Sequence, residues 1–192
     1  VTADRQLARM VQAELRRFDI EIDDSAGEPL AQTSIGTYLM LLARLIRSQN
    51  MISDLLALAS HPLAAGGCDR IVFRQKINQL NRTYLRGALS FDDREGLIAH
   101  VAKDPEMQDF VKTHLLAPLA PLLEADGTSA LSESADLLGR VAEQFTATDS
   151  DDEAGAVLRL WEGPEGRAAA TALQELSLYA TDFTLSYGAF AE

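Results

Sequence analysis

The sequence predicts an all-α protein, and three observations support this prediction. Leucine and alanine each occur 29 times, whereas valine and isoleucine occur 7 and 8 times. Alanine and leucine favour helices, and β-branched residues favour strands. Apolar residues recur at three- and four-residue spacing along most of the chain, and no segment alternates with period two. We therefore expect residues 1–192 to form a single-domain bundle of about six to eight helices.

The N-terminal region has the pattern of an amphipathic helix followed by a linker. Residues 2–18 place apolar side chains at helical spacing, namely Leu7, Met10, Val11, Leu15 and Phe18. The next segment, up to residue 32, is polar and contains a glycine and a proline. Residues 1–32 are thus predicted to be an N-terminal helix plus a flexible connector.

The strongest helical pattern covers residues 34–60. Between Tyr38 and Ile46 only Arg44 is charged, so this stretch is apolar nearly all round. A helix of that kind is usually buried, and we expect it to be the central helix of the bundle. The polar run at residues 48–50 is a point where this helix can kink or divide.

The remaining helices are predicted from periodicity and from capping residues. Their expected ranges are 69–88, 91–103, a helix beginning at 105 that Pro118 and Pro121 stop or kink, 130–145, a short helix ending at 161, and 164–187. Three N-terminal caps are expected, at Ser90, at Asp104 before Pro105, and in a capping box over residues 150–153.

Net charge divides the chain into two unlike halves. Residues 1–100 hold 12 basic and 12 acidic side chains, and residues 101–192 hold 5 and 17. The isoelectric point near 4.6 argues against direct DNA binding. The longest apolar run, at residues 38–43, is far shorter than the ~20 residues of a membrane span. Arginine outnumbers lysine by 14 to 3, which is typical of a GC-rich genome, and we expect a bacterial, cytoplasmic protein.

Motifs for catalysis or metal binding are missing from the sequence. One cysteine, Cys68, allows neither an intramolecular disulfide nor a cysteine-rich zinc site. The three histidines lack zincin and di-iron spacing, and the acidic run at residues 149–153 lacks the glycine and glutamate of an EF-hand loop. No phosphate-binding glycine loop or nucleophile elbow is present. We assign no catalytic, cofactor-binding or metal residues, and we expect no cofactor.

Three groups of side chains are candidates for binding a partner. One is a set of arginines in the helix predicted at 69–88, one is the acidic start of the short helix, and one is an aromatic series at four-residue spacing near the C terminus. Each also has an ordinary structural explanation: internal ion pairs, helix capping and core packing, respectively. The candidates are Arg70, Arg74, Arg82 and Arg86; Asp151, Asp152 and Glu153; and Tyr179, Phe183 and Tyr187.

These observations favour a non-enzymatic helical module for protein–protein interaction, such as an adaptor, regulator or assembly component. It would act through its charge-segregated surfaces on another protein, and self-association stays open. One alternative is an acidic inhibitor that mimics nucleic acid in the basic groove of a partner. Another is a small-ligand sensor or enzyme with a pocket between helices, which a deep pocket holding His100 or His114 beside carboxylates would favour.

Overall fold

A computed structural model describes residues 29–46, 48–87, 89–125, 128–151, 159–179 and 184–186, and positions 10, 11, 14, 15, 17, 18 and 155. The protein is all-α, as predicted, with one small pair of strands. The helices are α1 (Ser34–Leu45), α2 (Met51–Ala59), α3 (Arg70–Gln79), α4 (Arg94–His100), α5 (Pro105–Phe110), α6 (Ala120–Leu123), α7 (Leu131–Thr146) and α8 (Gly163–Tyr179). The strands are β1 (Thr128–Ala130) and β2 (Thr184–Ser186).

Short helical turns of other types extend these elements. A 3₁₀ turn at Leu30–Gln32 precedes α1, and another at Ala117–Leu119 precedes α6. Wider π-helical turns continue α3 over Leu80–Tyr84 and α5 over Val111–Leu116. Most of the predicted N-terminal helix and connector lies outside the described residues, although positions 10, 11, 14 and 15 are helical.

The predicted central helix is divided into α1 and α2. Tyr38 and Leu42 of α1 are fully buried, so the expectation of a buried helix is confirmed there. The division falls at the polar run of residues 48–50, where the sequence allows the helix to kink or divide, and α2 has its own N-terminal cap. The Asp92 carboxylate, from a distant loop, accepts hydrogen bonds from the backbone N–H groups of Met51 at 3.1 Å and Ile52 at 2.8 Å.

The same contact explains why the helix start predicted at Ser90 is wrong. Ser90 was expected to begin a helix at residue 91, but α4 begins three residues later, where the Asp93 side chain accepts from the Gly96 N–H at 2.6 Å. Because Asp92 caps α2, residues 90–93 stay non-helical. The cap at Asp104 is confirmed, since its carboxylate accepts from the Met107 N–H at 3.1 Å.

The C-terminal helix predicted at 164–187 is wrong at residues 184–186. Instead of a helix to residue 187, α8 ends at Tyr179, and β2 pairs antiparallel with β1. Thr128 lies opposite Ser186, and Ala130 lies opposite Thr184. This pairing joins segments that are distant in sequence, and no local pattern in either segment indicates it. No helix in the described ranges is both long and apolar enough to cross a bilayer.

The core is centred on aromatic rings from α3, α5 and α7. The Phe73 ring lies 5.6 Å from that of Phe110 and 5.8 Å from that of Phe145, between centroids. A tight loop before α3 is fastened to the end of α7, because the Ala65 and Gly66 N–H groups both donate to the Phe145 carbonyl. These bonds fix the loop against α7 and so help to position the start of α3, which carries arginine side chains.

Candidate functional site

The exposed part of α3 and its extension is rich in arginine. Arg74, Arg82 and Arg86 are all exposed, and none of them forms an ion pair with another described residue. We call residues 70–86 the basic segment. Asp69 precedes this segment and caps the N-terminus of α3. Its carboxylate accepts hydrogen bonds from the N–H groups of Ile71 at 2.9 Å and Val72 at 3.0 Å. The N-terminus of α3 is therefore already capped. Arg74 lies within α3, Arg82 lies in its π-helical extension, and Arg86 follows that extension by two residues.

Some other basic side chains in the described ranges are paired with carboxylates, although Lys103, Lys112, Arg140 and Arg167 are not. Arg44 lies 3.2 Å from Asp54, and Arg94 lies 3.1 Å from Glu124. On α3 itself, Lys76 pairs with Glu106 of α5. The structural explanation for the predicted arginines is that they form ion pairs within the protein. Among the described residues, Arg44, Lys76 and Arg94 form such pairs. The candidates Arg74, Arg82 and Arg86 do not.

Arg70 is half-buried at the start of the basic segment. Its Nη1 donates to the Pro62 carbonyl at 3.1 Å, and its Nη2 is buried with no hydrogen-bond acceptor among the residues described. Burial lowers the pKa of Arg70, and the positive charges of Arg159 and Arg74 lower it further, against the opposing effect of Asp151. Arg70 therefore retains one buried N–H donor group without an acceptor among the described residues.

A cavity of about 470 Å³ opens beside Arg70. It is lined by Arg70 and Arg74, which are four residues apart on one side of α3. The amides of Gln75 and Asn78 complete the polar lining, and Pro62 and Ile71 are among its apolar walls. The Ile71 side chain is 69% exposed, so its apolar surface is presented to solvent.

The acidic candidate Asp151 is engaged inside the protein. Its carboxylate pairs with the Arg159 guanidinium, whose Nη1 donates at 2.9 Å, and accepts from the backbone N–H and hydroxyl of Thr148, each at 2.8 Å. These bonds hold the pKa of Asp151 well below its usual range. The Asp151 side chain is 8% exposed, so it offers little surface to a partner.

The other predicted candidates are only partly described. Asp152, Glu153, Phe183 and Tyr187 lie outside the described residues, and Tyr179 is the last residue of α8. The described residues near them are Tyr179, at the end of α8, and the strand Thr184–Ser186.

The histidines make structural contacts with the backbone. His100 Nε2 lies 2.7 Å from the Tyr84 carbonyl oxygen, and His114 Nδ1 lies 2.9 Å from that of Gly66. Neither residue lines the cavity beside Arg70 or the groove between α7 and α8 described below.

Cys68 is a half-buried free thiol that is hydrogen-bonded to the backbone. Its Sγ–H donates to the Ala65 carbonyl at 3.3 Å. Burial, reinforced by the negative charges of Asp149 and Asp69, raises the pKa of the Cys68 thiol to about 11. The thiolate, which is the nucleophilic form, is therefore disfavoured at neutral pH.

Sequence reasoning missed a buried polar network around Tyr38. The Tyr38 hydroxyl donates to the Ala142 carbonyl at 3.2 Å and accepts from the Thr146 hydroxyl at 3.0 Å. Its ring lies 5.2 Å from that of His61, whose pKa is lowered by burial. The available signal was a lone tyrosine in the aliphatic stripe of α1, because a buried tyrosine hydroxyl usually has a partner.

A groove of about 520 Å³ between α7 and α8 was also not predicted. Trp161 lies along it and donates from Nε1 to Glu143 at 2.7 Å. Asp136 of α7 accepts from the Ser177 hydroxyl of α8 across it. The Asp136–Ser177 bond joins the two helices, and Arg140 and Gln174 also line the groove.

Of the partner-binding candidates, Arg70 and Arg74 share one cavity. Within the described ranges, no three His, Cys, Asp or Glu side chains converge to hold a metal ion. Comparison with known proteins gives no match to a family model, to a curated protein or to a solved structure.

Proposed function

We propose that this chain is a non-enzymatic interaction module that binds an acidic segment of another protein through its basic segment. One observation supports the proposal above all others. Three exposed arginines within residues 70–86 have no carboxylate partner in the described part of the chain, although Lys76, which lies between them in sequence, pairs with Glu106. They are Arg74, Arg82 and Arg86.

The chemistry of the basic segment suits a protein partner. Arginine presents five N–H donors in a planar fork that matches a carboxylate, and it is enriched in protein interfaces. Ile71 and Val72, which are 69% and 46% exposed, add apolar surface on the same element. A net charge of −12 disfavours a long polyanion such as nucleic acid, whose affinity depends on many phosphate contacts.

The acidic half gives less support to a nucleic-acid mimic. Such a mimic needs an array of free carboxylates, and many described carboxylates after residue 100 already serve the fold as caps, ion pairs or hydrogen-bond acceptors. They include Asp104, Glu106, Glu124, Asp136, Glu143 and Asp151.

The test is affinity capture from the host, with the partner identified by mass spectrometry. The double variant Arg74→Glu/Arg86→Glu reverses two exposed charges of the basic segment and is expected to lose the acidic partner that the unchanged chain retains. Like-charge contacts across an interface disfavour binding strongly, so the loss should be at least about tenfold.

Lys103→Glu/Lys112→Glu is the matched control. It changes the net charge by the same amount, and both lysines are exposed outside the basic segment without an ion pair in the described part of the chain. This control should retain the partner. Equal retention by both variants, or loss only in the lysine variant, would refute the proposal.

A further inference from the structure

The cavity beside Arg70 has features that the rest of the basic segment lacks. Arg82 and Arg86 are exposed side chains, whereas Arg70 and Arg74 face a common volume of about 470 Å³. That volume lies within the range of about 300–1,000 Å³ typical of ligand sites. The Nη1 bond to Pro62 orients the Arg70 guanidinium, which reduces the entropy lost on binding an anion.

We infer that this cavity is the anchor of the interface and receives a carboxylate side chain of the acidic partner segment between Arg70 and Arg74. The inference deepens the proposed function and rests on it. Asp69 is engaged at the helix N-terminus and Asp151 by Arg159, so neither carboxylate neutralises Arg74. An incoming carboxylate supplies the missing negative charge.

The lining selects a carboxylate on an apolar stem. Gln75 and Asn78 extend hydrogen bonding around the two arginines, and Pro62 and Ile71 form apolar walls. The methylene groups of an acidic side chain, or an apolar residue next to it, would cover the exposed Ile71 side chain. A bare phosphate ion would leave these walls in water and gain nothing from them.

The experiment measures fluorescence anisotropy of the full chain with a labelled peptide of alternating glutamate and leucine. A peptide with glutamine in place of glutamate is the ligand control. Arg74→Gln is expected to weaken binding by about tenfold, because it removes a charge-assisted hydrogen bond. Arg82→Gln makes the same chemical change on the same element outside the cavity, and it should weaken binding by less than about twofold.

Two further results test the carboxylate assignment. Arg74→Lys keeps the charge but loses the planar fork, and weaker binding by this variant supports a paired carboxylate. Sodium acetate should displace the peptide at least as well as inorganic phosphate at equal ionic strength. Stronger displacement by phosphate would overturn the assignment.

The outcomes also separate this inference from the proposed function. Equal losses in Arg74→Gln and Arg82→Gln would overturn the anchoring cavity and leave a diffuse basic interface standing. Failure of the unchanged chain to prefer the glutamate peptide over the glutamine peptide would overturn the anchor. The capture experiment with the Arg74→Glu/Arg86→Glu variant then decides independently whether the basic segment binds a partner at all.

Discussion

Asp151 illustrates how one side chain can serve a different purpose from the one that its sequence context indicates. Its position in an acidic run predicts a helix cap or a surface charge. In the fold it accepts hydrogen bonds from Arg159, eight residues later, and from Thr148. The spacing to Arg159 gives no signal for this contact, because the chain between them does not fix their distance. The sequence predicts Asp151 as a partner-binding candidate or a helix cap, and its ion pair with Arg159 was not predicted.

Asp151 should make the stability of the protein sensitive to acid. Its pKa is lowered in the folded state by Arg159 and Thr148, whereas an unfolded aspartate has a pKa of about 3.9. The ionised carboxylate therefore stabilises the fold fully above about pH 5, and this contribution is lost as the pH falls below about 4. Asp151→Asn should lower the urea midpoint at neutral pH and reduce the further loss on acidification.

Asp109→Asn is the control for this prediction, because Asp109 is an exposed carboxylate without an ion pair in the described ranges. It should leave both the neutral midpoint and the acid sensitivity close to those of the unchanged chain. If Asp151→Asn shows the same acid profile as the unchanged chain, the ion pair with Arg159 does not stabilise the fold.

At the level of elements, local patterns predict where helices form better than where they end. Burial of α1 and the cap at Asp104 follow from residues close in sequence. The start of α2 depends instead on Asp92, 40 residues away from Ile52. The pairing of β1 with β2 likewise joins distant segments. Such contacts exist only after the chain has folded, so periodicity cannot reveal them.

The loop before α3 gives an element-scale prediction, since it positions the basic segment. Gly66 has φ of 56°, and a Cβ there would lie 2.0 Å from the His114 carbonyl oxygen and 2.7 Å from the Phe73 ring. Gly66→Ala should therefore force the loop or α3 to move and destabilise the protein strongly. Chemical denaturation measures the loss.

Gly67→Ala is the control that separates the steric clash expected at Gly66 from the backbone strain of a positive φ. Gly67 also has a positive φ, of 76°, but a Cβ there would meet nothing within 4 Å. This variant should cost about 1–2 kcal/mol, the strain of a left-handed residue alone. Equal losses for Gly66→Ala and Gly67→Ala would show that close packing at Gly66 does not hold the loop.

For the whole molecule, the structure shows how the charges of the neutral half, residues 1–100, and of the acidic half, residues 101–192, are used. The acidic half uses many of its described carboxylates for capping and pairing, and the neutral half leaves arginines of the basic segment exposed. At physiological ionic strength charges are screened over about 8 Å, so a partner close to this segment senses the arginines more than the net charge. The arginines of the candidate site were predictable from sequence, whereas their cavity was not, since Pro62 reaches it through a folded loop.

The most direct test of this account is the association rate of the chain with its captured partner at low and high salt. At about 0.05 M NaCl the unchanged chain should associate at least about tenfold faster than Arg74→Glu/Arg86→Glu, because the exposed arginines steer the encounter. The difference should shrink towards about 0.5 M NaCl, where screening is strong. Equal association rates for the two chains at every salt concentration would contradict an interface formed by the basic segment.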